Sequence, residues 1–266
     1  VTYTQSVVLG LVQGLTEFLP VSSSGHLILV PLVFGWPDQG LAFDAVTHLG
    51  TLAALCAYFR GELRALVSGA LSRRLAVLIV LATIPAGLAG LLFGTWIETH
   101  LRSALLIAAT TAGWGAVMWL ADRRAAASAG GRDEPLERVT WRQGLTVGCA
   151  QALALIPGTS RSGITITTGL LGGLDRATAA RFAFLLSIPI TAAAGGLKML
   201  ELLRRGLPPG DGGPLLVAVI VAFASGWFAV WFLVSYLRTR SLIPFAIYRL
   251  ALAAVIAIMA GAGLVR

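Results

Sequence analysis

The sequence predicts an all-α polytopic membrane protein, with six transmembrane helices plus two re-entrant helix hairpins in an inverted-topology repeat. Three observations predict it. First, 57% of the residues are hydrophobic and only 12% are charged, with a mean hydropathy of +0.84; a soluble domain carries about 25% charged residues. Second, the apolar runs are continuous rather than alternating, which suits spanning helices and excludes a β-barrel. Third, QGLTEFLPVSSSGH (13–26) is echoed by QALALIPGTSRSGI (151–164): Gln13 matches Gln151, Leu15 Leu153, Ser22 Ser160, Ser24 Ser162 and Gly25 Gly163, at one offset of 138. Each stretch interrupts an apolar segment with Pro, Ser and Gly. A lipid core offers no water to a broken backbone, so such breaks survive only inside protein or beside a polar cavity. Broken segments at corresponding places in two halves point to a binding site.

In chain order, segments 3–19 and 22–34 are too short to span and read as one hairpin, broken at Pro20–Ser24. Spans follow at 41–59, 75–96 and 103–121, each near the ~20 residues a bilayer needs. Segments 142–156 and 160–172 form the second hairpin, broken at Pro157–Ser162, and spans at 177–200, 214–237 and 243–265 complete the chain. This gives a first repeat over 1–121, a polar cytoplasmic linker over 122–141 and a second repeat over 142–266, within one integral membrane domain.

Orientation follows from the basic residues. Arg60, Arg64, Arg73 and Arg74 follow the first span, Arg123, Arg124, Arg132, Arg138 and Arg142 lie in or beside the linker, and Arg238 and Arg240 precede the last span. Six spans put all three groups on one side, expected to be cytoplasmic, against Arg102, Lys198, Arg204, Arg205 and Arg266 opposite. The hairpins then enter from opposite faces and their breaks meet near the midplane. The net charge of +8 is a topology signal, and no nucleic-acid partner is expected. Cys56 and Cys149 read as buried small hydrophobes. No cleavable signal is expected, because the start lacks a basic region and Glu17 interrupts the apolar run.

The chemistry-bearing residues concentrate at the breaks. Glu17 is flanked by Leu15, Phe18 and Leu19, and shares a helix face with Gln13 four residues earlier. An ionisable group at membrane depth is a functional suspect; the plainer alternative is a carboxylate at a hairpin tip or capping backbone amides. His26 lies one turn after Ser22 and Ser23, so either hydroxyl could meet the imidazole in a nucleophile–base pair. Alternatively Ser22 is a helix cap and His26 a satisfied buried ring. Glu17 could orient the base or hold a metal. In the second break Arg161 stands at a fresh helix N-terminus, where amides and guanidinium together suit phosphate oxygens; the plainer alternative is snorkelling to the surface. Gln13, Ser22, Ser24, Ser160, Ser162 and Thr165 are expected to join Arg161 in binding the phosphate. Asp44 and His48 share a helix face and could line the entrance, help bind a metal or pair at the interface, the last being the preferred reading; Arg249 reads as a snorkelling or capping residue, Trp36, Trp96 and Tyr248 as interface anchors, and Asp175 as a helix cap.

These motifs, (E/Q)xxxE with PVSSSGH and then PGTSRSGIT, resemble the bacitracin-resistance family of undecaprenyl-diphosphate phosphatases, and the resemblance extends to SLIPFAIYRL at 241–250. The resemblance implies a bacterial inner-membrane, multi-pass enzyme. It would hydrolyse undecaprenyl diphosphate to undecaprenyl phosphate and phosphate, recycling the lipid carrier for peptidoglycan synthesis. It implies a divalent cation (Mg2+ or Ca2+) and places functional roles on Glu17, Ser23, His26 and Arg161. Gln13 stands where many members have Glu, which removes one possible metal-binding carboxylate. The nucleophile is Ser23 or His26; the expectation adopted is Ser23, with His26 as base and Glu17 orienting it or holding the metal. The expected partners are a polyprenyl diphosphate and membrane lipids, with a homo-oligomer left open. The competing function is a polyprenyl-phosphate transporter or flippase, which the repeat architecture also suits.

Overall fold

The computed structural model describes residues 1–37, 39–101, 103–128, 134–206, 210 and 212–265, and their side chains except at 24, 28, 41, 42, 44, 45, 98, 126–128, 203 and 205. Arg102, Arg132 and Arg266, and the side chains of Ser24, Asp44 and Arg205, thus lie outside what is described. The helices are α1 (Tyr3–Phe18), α2 (Ser23–Val33), α3 (Gly40–Tyr58), α4 (Arg60–Ser68), α5 (Arg73–His100), α6 (Ala104–Ser128), α7 (Trp141–Ala152), α8 (Arg161–Leu171), α9 (Arg176–Arg205), α10 (Gly212–Leu237) and α11 (Ile243–Gly261), with single 3-10 turns at Leu136–Arg138 and Leu153–Leu155. No strand occurs among the described residues.

Five of these helices (α5, α6, α9, α10 and α11) are long and apolar enough to cross a membrane. α3 contributes a shorter described apolar stretch, Val46–Tyr58. The outward faces of α5 and α10 carry Leu88, Leu91, Phe93, Ile220, Phe228 and Trp231, a continuous apolar exposure that water would not tolerate. Two elements depart from the sequence expectation. The connection after α3 is itself a helix, α4, and α6 runs on through Ser128 into the segment assigned to the linker.

The two halves agree in local detail. α1 and α7 open with the same capping box, Thr2 with Gln5 and Thr140 with Gln143, each satisfying backbone donors at both ends of the pair. α2 and α8 have equivalent limits at the offset of 138. Gly10 and Gly148, again equivalent, let their helices touch a neighbour's backbone: a Cβ on Gly10 would lie 2.7 Å from the Ala218 carbonyl oxygen, and one on Gly148 would collide with Ala82. Small residues allow such close helix approach where no hydrophobic drive exists. α1 accordingly packs on α10 and α7 on α5.

Polar ties gather the Arg-bearing connections at one end of the molecule. Buried Asp122 accepts from Arg176 at 2.6 Å and from the Leu242 amide at 3.1 Å. Arg74 donates to the carbonyls of Glu137 and Val139, and Arg181 pairs with Glu62. Beneath them lies the main core, with Phe59, Leu75, Leu78, Met118, Phe182 and Leu233 among its members.

Candidate functional site

Both breaks are written in backbone conformation. Leu19 and Ile156 are extended, as expected of residues that precede proline, and they end the helical path before Pro20 and Pro157. Ser22 (φ 76°) and Ser160 (φ 66°) are the non-glycine residues with positive φ among those described. They stand at equivalent positions, one residue before α2 and α8. The left-handed region disfavours residues bearing a Cβ, and each of these turns leads directly into a fresh helix, α2 or α8. Ser160 supports its turn by accepting from the Gly163 amide at 3.2 Å.

Glu17, at the end of α1, is the hub. Its Oε1 accepts from Arg161 Nη2 across the two breaks, and the other Arg161 nitrogen donates to Thr191 on α9. Its Oε2 accepts from Gln13 Nε2 and from the Ser23 hydroxyl, each at 3.1 Å. His48 Nε2, from α3, stands 3.7 Å from the same oxygen. Gln13 is fully buried, and its Oε1 has no hydrogen-bond partner among the described residues. Beside this cluster a small cavity is lined by Glu17, Arg161, Ser162, Thr165 and Ser187, and walled by Phe18, Ala183 and Phe184.

The structure therefore brings Glu17, Gln13, Ser23 and Arg161 together. It does not put His26 on either serine hydroxyl. His26 Nδ1 donates to the Ser22 carbonyl at 2.8 Å, and its Nε2 meets the Tyr248 hydroxyl at 2.6 Å. Ser23 is engaged by Glu17 directly, so the expected chain of Ser23, His26 and Glu17 is replaced by a Ser23–Glu17 pair with His26 set apart. The hydroxyls expected as phosphate donors are also differently used. Ser162 donates to the Leu19 carbonyl at 3.2 Å and Thr165 to that of Arg161 at 2.7 Å. Ser22 is buried at the strained turn.

Four residues gain a place that sequence reasoning did not give them. Tyr248 meets His26. Arg249 is 1% exposed and does not snorkel: it donates to the carbonyls of Thr111 (3.2 Å), Gly158 (2.9 Å) and Thr159 (3.0 Å), with that of Pro20 at 3.5 Å. It thereby clasps both breaks to α6 and α11. Thr191 steadies Arg161, and His48 faces Glu17. The SLIPFAIYRL motif was the one available signal for Tyr248 and Arg249, the helix face shared with Asp44 was the signal for His48, and Thr191 had none. Asp175 caps α9 as expected, accepting from the Thr178 amide at 2.9 Å.

Among the described residues the donor set makes no protein-built cation cage. Among the described residues no three His, Cys, Asp or Glu side chains converge as ligands. Glu17 is the carboxylate at the centre, with both oxygens already engaged, and Gln13 adds one neutral oxygen. Hard divalent cations take about six oxygens.

Fold and site together define a class: a helical membrane protein whose charged centre is assembled from two broken helices, one giving a carboxylate and a hydroxyl, the other a guanidinium. Within that class the chain belongs to the Bacitracin resistance protein BacA family, which matches residues 6–255. It is 49% identical over 265 residues to undecaprenyl-diphosphatase 2 of Stutzerimonas stutzeri, covering 96% of this chain and 97% of that one. It is 49% identical over 260 residues to the undecaprenyl-diphosphatase of Thioalkalivibrio sulfidiphilus, covering 94% and 96%. Against the undecaprenyl-diphosphatase of Hahella chejuensis it is 48% identical over 263 residues, covering 95% and 96%.

Proposed function

We propose that this protein hydrolyses undecaprenyl diphosphate to undecaprenyl phosphate and inorganic phosphate, returning the lipid carrier to peptidoglycan synthesis from a multi-pass position in the bacterial inner membrane. One observation carries the reading: the Ser23 hydroxyl donates to a buried carboxylate, Glu17, which is paired with Arg161 from the opposite break. A site that only bound phosphate would need donors and positive charge. It would have no use for a hydroxyl held against a base.

In the proposed course the terminal phosphate displaces Glu17 as the partner of Arg161, whose planar fork suits phosphate oxygens. With its counter-ion taken, Glu17 is left to receive the Ser23 proton. Ser23 Oγ bonds to the terminal phosphorus, the bridging P–O bond breaks and the lipid phosphate leaves. Water, giving its proton to His26, then attacks the phosphoserine; phosphate leaves and the Ser23 oxygen takes back the proton held by Glu17, restoring the hydroxyl. Arg161 and the amides at the starts of α2 and α8 stabilise the charge on the equatorial oxygens. Any dependence on Mg2+ or Ca2+ belongs, in this reading, to the diphosphate the substrate carries, because the described side chains make no cage.

The architecture we infer is the six-span one, with α3 as the sixth span and the pairs α1–α2 and α7–α8 as re-entrant hairpins inserted from opposite faces. The repeats are 1–121 and 142–266, joined by a cytoplasmic 122–141. The matching caps, breaks and packing partners of the two halves support it.

The test is phosphate release from undecaprenyl diphosphate by the purified protein in detergent. Arg161→Ala and Glu17→Ala are each expected to lower kcat/KM by about 100-fold or more. Normal turnover by both variants would refute the assigned roles. Detergent also separates the phosphatase from a lipid carrier, which needs two compartments to act.

A further inference from the structure

Tyr248 approaches His26 from 222 residues away in the sequence. The two rings lie nearly parallel, 3° apart in plane with centroids 5.6 Å apart. A carbonyl can only accept, so the bond from His26 to the Ser22 carbonyl fixes the proton on Nδ1. In the neutral ring Nε2 is then the lone-pair atom, and the Tyr248 hydroxyl donates to it. Both ring nitrogens are thus committed, one to the strained turn before α2 and one to α11. The register of α11 is not incidental. The next residue, Arg249, is buried and grips carbonyls of both breaks, so the tyrosine is presented to the hairpin by a clasp. Tyr248 itself is 46% exposed, so its ring is not sealed within the packed interior.

We propose that Tyr248 is a positioning residue for His26: its hydroxyl holds the imidazole in the Nδ1–H tautomer and keeps Nε2 occupied until the lipid diphosphate arrives. The reactive lone pair is in this way kept from water and lipid between turnovers, and the ring is delivered to the phosphate in one orientation. The proposal deepens the phosphatase reading and rests on it for the role of His26 in turnover. The hydrogen bond itself does not depend on that reading.

The experiment uses the full chain in detergent and two readouts on Tyr248→Phe, which keeps the ring and removes the hydroxyl. The first is the rate at which diethylpyrocarbonate modifies His26, followed residue by residue by mass spectrometry with His100 as internal reference. Loss of one hydrogen bond from Nε2 is expected to speed modification of His26 by about fivefold to tenfold and leave His100 unchanged. The second is steady-state phosphate release. A group that orients His26 without binding substrate is expected to lower kcat by about tenfold and leave KM within about twofold. An unchanged His26 modification rate overturns the proposal, and so does an unchanged kcat. If the wild-type protein released no phosphate while His26 still became more reactive in the variant, the phosphatase reading alone would fail and the Tyr248–His26 coupling would stand.

Discussion

Glu17 carries one negative charge and is surrounded by groups that would each neutralise or orient it: Arg161, Gln13, Ser23 and, slightly further off, His48. A buried carboxylate with a single close guanidinium is balanced; a second carboxylate one turn away would not be. Gln13→Glu is therefore expected to change the cation requirement. Two adjacent carboxylates repel unless a proton or a cation sits between them, and two carboxylates begin to resemble a divalent site. The Mg2+ concentration giving half-maximal phosphate release should fall by about tenfold or more in the variant. Titration of activity against Mg2+ in both proteins checks this, and superimposable curves would contradict it. Glu17, Ser23 and Arg161 were legible in the sequence because they sit in short, oddly placed polar breaks of an apolar chain. The contacts of His48, Thr191, Tyr248 and Arg249 were not, because these residues reach the breaks from α3, α9 and α11 through tertiary packing. The partners of the His26 imidazole were not legible for the same reason. Sequence spacing put it one turn from two serines, and only the approach of α11 decides that its far nitrogen meets a tyrosine.

The hairpins show how much of an element is local. α1, α2, α7 and α8 begin and end close to where the apolar segments begin and end, because Thr caps, Pro and Gly punctuate the chain at those points. The positive φ of Ser22 and Ser160 was not legible, since serine is not the residue a left-handed turn calls for. At Ser160 the side chain offsets part of that strain by capping α8 through the Gly163 amide. Two substitutions separate the effects. Ser160→Ala keeps the Cβ strain and loses the cap, and is expected to destabilise by about 1–2 kcal/mol. Ser160→Gly loses the same cap but removes a strain of about 1 kcal/mol, and should stay within about 1 kcal/mol of the parent. Thermal unfolding in a fixed detergent orders the three proteins. A glycine variant less stable than the alanine variant would mean that the turn is not strained.

Across the whole molecule, the repeat makes a stronger statement than either half. The equivalent helices α1 and α7 start with the same capping box. A parallel repeat would start both on one face; an inverted repeat starts them on opposite faces. The central α6-to-α7 connection, the start of α9 and the turn before α11 are tied together by Asp122, Arg176 and Arg74, which groups α7's start with the Arg-rich end. Basic connections stay cytoplasmic, so the start of α7 is assigned inside. Thr4 and Arg142, equivalent positions in the first turns of α1 and α7, are both exposed and report on this directly. In a Cys56→Ser, Cys149→Ser background, Thr4→Cys should react with an impermeant maleimide added to intact spheroplasts, and Arg142→Cys only after the membrane is opened. Labelling of both from one side would make the repeat parallel. The two helix N-termini would then no longer approach one site from opposite leaflets, and the junction of Glu17 with Arg161 would need a different explanation.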